Sequence, residues 1–423
     1  MTQNNKINDM LEKYMSEYSQ QWSINCCILA AKQGQILFHK AYGLANLEHK
    51  VLNSIDTKFW LASITKTFTA VAVMMLQEQG LIDFKDSIKK YLAEYPQFDE
   101  KVTIHHLLTH TSGIPNYTDL PNFENEIKRL SYTEAEFMGL FKDKVLEFEP
   151  GEKASYSNTG FYLLGVIIQR VSGMSYSEFI KKNIIQKVGL KNSGFVSNDE
   201  VVPDMAYGYV YNGPVLVKGP YSDMATDLAT GGLYSTCEDL YRFIKSLGNY
   251  ELISKSSFDL MFQDYHSGYG YGSIVGESFS RKTIGHNGSY CGFLTQYIYY
   301  PQDDVFVCVL GNNSYTNVWR LCDDLAGIIL EESVSMPVKP VKIEEANSEF
   351  DEYIGVYDSG SGFKITISKN ADIFNMNFNK DNLYTIYPVA KDVFCNEFLD
   401  EKYVFERDEN GVLSLWGCKK VSD

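Results

Sequence analysis

Apolar residues in this chain recur every three or four positions along some stretches and every second position along others, and the two periods mark where helices and strands are expected. A helical pattern covers residues 6–20. Apolar runs at 26–31 and 36–39, separated by Gly34 and Gln35, predict an antiparallel hairpin. Helical spacing returns from Ser63 to Gln79 and stops at Gly80, a residue suited to the left-handed backbone that ends helices. A second helix is predicted over about 103–110, halting at Thr111-Ser112-Gly113-Ile114-Pro115, and another over 161–171 before Ser172-Gly173. Residues 85–200 thus form an expected all-helical lobe. Further on, a helix at about 237–247 precedes strand-like segments at 269–275, 282–284, 293–300 and 305–310, with Pro301-Gln302-Asp303-Asp304 as a hairpin turn. A helix over about 317–332 closes this unit, whose first and last parts are expected to share one sheet.

Residues 333–349 break the pattern with Pro337, Pro340 and the acidic pair Glu344-Glu345, as a linker would. Short alternating segments follow at 353–357, 363–368, 373–378, 383–387, 393–398, 403–407 and 412–416, and Asp408-Glu409-Asn410-Gly411 is a hairpin signal. Their regular spacing predicts a small antiparallel β-barrel over 350–423. The expected fold class is α/β: an antiparallel sheet flanked by helices plus the helical lobe over 1–332, then the linker, then the barrel.

Composition narrows the partners. With 423 residues, 44% of them apolar, the chain can fill two or three cores. A formal charge of -16 leaves no basic stripe to neutralise phosphates, which argues against nucleic acid or an anionic membrane surface. No stretch approaches the roughly 20 apolar residues of a membrane helix, and residues 1–9 lack a basic start followed by an apolar run. A soluble, cytoplasmic protein is expected. Eight cysteines without a C-x-x-C pair predict buried free thiols, which fits a reducing compartment. Neither an H-E-x-x-H string nor a spaced Cys/His set is present, so no metal is predicted, and no cofactor is indicated.

Three short strings carry the candidate chemistry. Ser63 and Lys66 stand three apart at the start of an apolar helix, which puts hydroxyl and amine on one face, a nucleophile with its own base. The same S-x-x-K string recurs at Ser87 and Ser361, but in a polar segment and a Gly-Ser turn. Ser63 alone would otherwise be a helix-capping hydroxyl. Tyr156-Ser157-Asn158 follows Phe148-Glu149-Pro150-Gly151, and its loop tyrosine can project into a cleft where a nearby ammonium would favour phenolate and a proton shuttle. Asn158 can donate and accept at once, to Lys66 and to a substrate amide. Gly285-His286-Asn287-Gly288-Ser289 lies between strands, and its glycines permit close backbone approach to a ligand. The backbone N–H groups of Ser63 and Ser289 then form an expected oxyanion hole, with His286 facing a substrate carboxylate or leaving group. Tyr315-Thr316-Asn317 and His266-Ser267-Gly268 imitate the second and third strings.

In joint order and context these strings resemble the serine beta-lactamase and penicillin-binding superfamily, specifically the class C beta-lactamase-like branch with its D,D-carboxypeptidase, D-aminopeptidase and esterase relatives. The S-x-x-K, Y-x-N and H-x-G or K-T-G motifs of that branch match Ser63 to Lys66, Tyr156 to Asn158 and His286 to Gly288. Thr103 to Pro115 and Gly231-Gly232-Leu233-Tyr234-Ser235-Thr236 are similar to it too, and the likeness covers roughly residues 8–332. The tail resembles a lipocalin-like accessory barrel.

The resemblance implies a beta-lactamase-like fold and a serine hydrolase working through an acyl-enzyme on a D-amino-acid-containing peptide, amide or related ester. Ser63 attacks, Lys66 and Tyr156 move its proton, and Asn158, His286 and Gly288 bind substrate. Which of Lys66 and Tyr156 is the base stays open; a neutral Lys66 near pH 7 needs its pKa lowered by about three units. Histidine at 286, where true class C beta-lactamases carry lysine, points away from efficient antibiotic hydrolysis. The alternatives are a carboxylesterase or weak beta-lactamase of the same fold, and a catalytically inactive penicillin-binding sensor. The expected partner is a small-molecule or short-peptide substrate. Three uses of the tail stand open: lidding the cleft, mediating a homo-oligomer, or stabilising the fold.

Overall fold

The computed structural model describes residues 3–95, 98–212, 215–343, 348–360, 363–371, 373–378, 382–396 and 398–422. Ser361, which begins one of the duplicate S-x-x-K strings, and the linker pair Glu344-Glu345 lie outside them. Six antiparallel strands form the main sheet, in the order Ile274–Ser278, Arg281–Tyr290, Phe293–Tyr300, Val305–Gly311, Cys26–Lys32 and Gln35–Tyr42. As expected, Cys26–Lys32 pairs with Val305–Gly311, so both halves of the unit share the sheet.

Each central strand feeds two cores. Cys26, Ile28 and Ala30 face the core under the helices Gln3–Gln21 and Val318–Ile329, while Cys27, Leu29 and Ala31 face the core shared with the helical lobe. Val305, Val307 and Val309 split from Phe306, Cys308 and Leu310 in the same way. Burial on both faces is why these strands read as continuous apolar runs.

The helix Thr65–Glu78 is buried from Thr65 to Leu76, so it is apolar all round rather than amphipathic. Phe68 stacks on Phe243 of the helix Cys237–Gly248 with ring centroids 3.7 Å apart. Truncating it to alanine would cost about 3–5 kcal/mol. The buried hydroxyls of Thr67 and Thr69 donate to the carbonyls of Gly272 and Ala229 at 2.9 and 2.7 Å, which satisfies them and ties the helix to its surroundings.

In the lobe, Ile104–Leu108 is shorter than expected: Thr103 caps it, and His110, with φ of 58°, turns the chain away. Asn158–Ser172 begins before the expected 161 and ends at Gly173, where φ is 69°. The segment expected as a strand over 269–275 is mostly a turn. Its Tyr-Gly alternation imitates a strand, but Gly272 has φ of 63° and sits where a Cβ would stand 2.6 Å from the Lys66 carbonyl oxygen. The strand begins only at Ile274. By contrast, Arg281–Tyr290 runs far beyond the expected 282–284 and carries the third string within it. A hairpin of Tyr209–Asn212 and Val215–Lys218 adds to the expected elements.

The tail is a closed antiparallel barrel of eight strands, running from Gly355–Asp358 to Cys418–Ser422, the last closing on the first. Cys418–Ser422 is the strand that the seven expected segments omit. Pro388, which cannot donate to a ladder, falls at the register shift in Asn382–Ala390. Pro337 and Lys339 in the preceding segment bond to the Gln21 side chain at 2.7 and 2.5 Å. Asp400 bonds to Asn317 and Arg320, and Phe398 stacks on Tyr211, so the barrel rests against the start of the helix Val318–Ile329 and the 209–218 hairpin. Among the described residues no helix is long and apolar enough to cross a membrane.

Candidate active site

Ser63 does not cap its helix. It occupies a 3-10 turn, Ala62–Ile64, that precedes Thr65–Glu78, and Ala62 holds φ at 48°. That backbone is unfavourable for a residue with a Cβ and persists only where its surroundings enforce it. The Leu61 N–H donates to the Leu233 carbonyl at 2.8 Å, and the Thr295 hydroxyl donates to the Leu61 carbonyl at 2.9 Å. Trp60 donates its indole N–H to the Gly231 carbonyl. The turn is clamped from three sides.

The two expected partners meet the Ser63 hydroxyl: Lys66 Nζ stands 3.1 Å away and Tyr156 OH 2.9 Å away. Lys66 is fully buried, and its second partner is the Thr230 carbonyl at 2.8 Å rather than the side chain of Asn158. Phe161 and the Tyr156 ring lie 5.8 and 5.0 Å from its nitrogen. Burial pulls its pKa down to about 7, against a small opposing pull from Asp227. A fall of that size is a bias of about 5 kcal/mol against the ammonium.

Tyr156 goes the other way. Its ring leaves 44% of its surface open to the cleft, but the enclosed hydroxyl has its pKa raised by burial, more than the bond to Ser63 lowers it. The phenolate expected beside an ammonium is therefore not favoured: burial of both groups keeps the phenol protonated and the amine near neutrality. His110 lies tilted against the Tyr156 ring, with centroids 4.4 Å apart. Ser157 donates its N–H to His110 Nδ1 at 3.1 Å, which leaves the proton on Nε2. Burial, then Lys66 and His286, hold His110 far below the ordinary histidine range.

The third string serves the Ser63 turn first. A Cβ on Gly288 would stand 2.2 Å from the Leu61 carbonyl oxygen and 2.5 Å from Thr295 Oγ1, so glycine is required here for the turn to approach the strand. Ser289, next along the strand, lies at the open cleft. His286 differs from expectation. It is 2% exposed, with Nδ1 2.7 Å from the Asn287 carbonyl and Nε2 2.8 Å from Tyr269 OH. Nδ1 donates to the carbonyl, so Nε2 accepts from Tyr269, and no ring nitrogen is left for a substrate. Burial, with Lys66 adding to it, takes the pKa of His286 to about 3. It is neutral.

Asn158 opens its helix, its backbone N–H donating to Asn116 Oδ1 at 3.0 Å, and its side chain is half-buried. Pattern reading missed Asp227, a buried carboxyl raised to about 6 chiefly by burial and bonded by the Ser222 hydroxyl at 2.9 Å. An isolated acidic residue in a turn carries no periodic signal. The imitators resolve into structural roles: Ser87 caps a turn and Asn317 caps the helix Val318–Ile329.

An antiparallel sheet backed by helices, with a serine, an amine and a phenol converging where it meets the helical lobe, defines a beta-lactamase-fold hydrolase. The chain belongs to the Beta-lactamase family, whose model matches residues 10–328. It is similar to "Penicillin-binding protein 4*" of Bacillus subtilis (strain 168), 28% identical in an alignment of 392 positions that covers 84% of each chain. The octameric penicillin-binding protein homologue from Pyrococcus abyssi superposes with a TM-score of 0.68 at 25% identity, covering 99% of both chains. D-amino acid amidase from Ochrobactrum anthropi SV3 shares the fold, with a TM-score of 0.67 at 20% identity over 77% of this chain and 100% of that one.

Proposed function

We propose that the protein is a serine hydrolase acting through an acyl-enzyme on D-amino-acid-containing peptides, amides or related esters. The observation that carries this is the Ser63 hydroxyl, held 3.1 Å from a buried lysine whose pKa lies at about 7 and 2.9 Å from a protonated tyrosine. Neutral Lys66 takes the Ser63 proton as Oγ bonds to the substrate carbonyl carbon. The oxyanion is received by the N–H groups of Ser63 and Ser289. Tyr156 gives its proton to the leaving oxygen or nitrogen and regains one from Lys66, and water then releases the acyl group. Asn158 and Gly288 border the bound acyl chain. The names of the penicillin-binding and D-amino acid amidase relatives support the substrate class.

A second reading, a carboxylesterase, is favoured by His286. Neutral and bonded on both nitrogens, it offers no positive charge to a substrate carboxylate, which favours neutral esters and amides over carboxypeptidase or beta-lactam substrates. Rates on nitrophenyl esters against D-alanyl anilides separate the two. The test common to both is Ser63→Ala, which is expected to abolish turnover and covalent labelling by a fluorescent penicillin or phosphonate. Full activity in that variant overturns the mechanism, and labelling without turnover in the wild type would make the protein a sensor. Eight unpaired cysteines support a reducing, cytoplasmic setting, and the octameric homologue supports a homo-oligomer, checked by light scattering.

A further inference from the structure

Between the barrel and the main sheet lies a cavity of about 1330 Å³. One wall is the end of the strand Arg281–Tyr290, including Ser289, the residue after the Gly288 that packs against the Ser63 turn. The opposite wall is the mouth of the barrel. There Trp416 is 50% exposed, stacked on Phe378 at 5.5 Å and edge-on to Tyr403 at 5.6 Å, while Tyr384 meets Phe378 edge-on at 5.4 Å. Trp319, 41% exposed, faces the same space from the helix Val318–Ile329. Rings of this size left open to water inside a concave space mark a binding surface rather than a core.

Among these rings sits a carboxylate. Tyr403 donates its hydroxyl to Glu401 at 3.2 Å, and among the described residues Glu401 has no lysine or arginine ion-pair partner, unlike the nearby Asp400, which pairs with Arg320. Asp323, on the helix across the cavity, likewise has no ion pair among the described residues. A half-buried carboxylate framed by aromatic faces attracts one chemical group above others: the π-faces are negative, the carboxylate is negative, and a weakly hydrated cation satisfies both. An anion at the barrel mouth would meet the ring faces and Glu401, and of the cations that line the wider cavity Lys128, Lys218 and Arg320 are already paired with Glu124, Glu48 and Asp400, Arg129 excepted. A neutral alkyl group would leave Glu401 with the Tyr403 hydroxyl alone.

We propose that the mouth of the barrel binds an organic ammonium group between Trp416, Tyr384 and Glu401, and that the barrel thereby selects substrates carrying positive charge beyond the scissile carbonyl. The role in selection rests on the hydrolase reading; the binding itself does not. Choline and its uncharged isostere 3,3-dimethyl-1-butanol test it, by tryptophan fluorescence and calorimetry on the full chain at pH 8, on the alkaline side because burial raises the Glu401 carboxyl. Choline is expected to bind about tenfold tighter than the alcohol. Glu401→Gln should erase that preference, and Trp416→Phe should keep more affinity than Trp416→Ala. Equal affinity for the two probes, no choline binding at tens of millimolar, or an unchanged preference in a folded Glu401→Gln protein overturns the proposal. The Ser63→Ala variant is expected to bind choline like the wild type, so loss of the hydrolase reading and loss of this site would be seen separately.

Discussion

The Ser63 cluster and the barrel mouth treat charge in opposite ways. At the Ser63 end, burial strips it: Lys66 drops to about 7, His286 to about 3, and His110 further, although none of them has an acidic hydrogen-bond partner there. At the barrel end, rings stay open to solvent and Glu401 is left without a counter-ion among the described residues. The first arrangement brings a lysine, normally an ammonium at neutral pH, close to its neutral form, as the proposed base requires. The second leaves a negative site waiting for a partner of opposite sign. In the proposed mechanism reactivity would come from desolvation, and selectivity from charge kept within reach of water.

The sharpest way to break this contrast is pH. Protonated Lys66 cannot accept the Ser63 proton, so kcat/KM is expected to fall as pH drops through about 7 and to be down about a hundredfold near pH 5. A rate independent of pH between 5 and 8 would remove Lys66 as the base. The same group affects folding: between about 7 and 10.5 the unfolded chain holds a proton that the folded one lacks, so its contribution to stability rises with pH over that window.

A smaller effect is expected from Gly288→Ala. The new methyl meets the Leu61 carbonyl, a backbone atom that cannot swing aside, and must push the Ser63 turn off the strand. Stability should fall by about 1–3 kcal/mol, and phosphonate labelling of Ser63 should slow, together with turnover of every substrate class. Wild-type labelling with normal melting would show the turn to be less clamped than described. Trp416→Ala should do least at the Ser63 end: kcat/KM for a neutral nitrophenyl ester is expected to stay within about twofold of the wild type. A loss as large as that of Gly288→Ala would mean the barrel supports the nucleophile itself.

Much of the molecule is legible in its sequence because each legible part has a periodic or spaced signal. The Ser63 helix, the doubly buried strands and the barrel alternation are written in which residues are apolar. The 3-10 turn at Ala62 is not, because residues distant in sequence, Gly231, Leu233, Gly288 and Thr295, enforce it through Trp60 and Leu61. His286 lies on a strand beside the cleft, as its flanking glycines suggest, yet its ring serves Tyr269 instead of a substrate. That bond reaches a segment whose alternation imitates a strand, so nothing in the sequence announces it. Asp227 is invisible since a lone acid gives no sign of burial. The hairpin at 209–218 does carry a signal, in the alternation of Tyr209-Val210-Tyr211 and Val215-Leu216-Val217 around Asn212-Gly213.

The division of Cys26–Lys32 between two cores limits how this chain can change its length. Deleting or inserting one residue there would send Cys26, Ile28 and Ala30 to the opposite side, trading places with Cys27, Leu29 and Ala31 and unseating both layers at once. The adjoining turn is just as confined, with Gln33 and Gly34 both at positive φ, 50° and 79°. Growth and shortening are therefore left to the loops of the helical lobe, while the sheet beneath the nucleophile can drift only in the identity of its side chains.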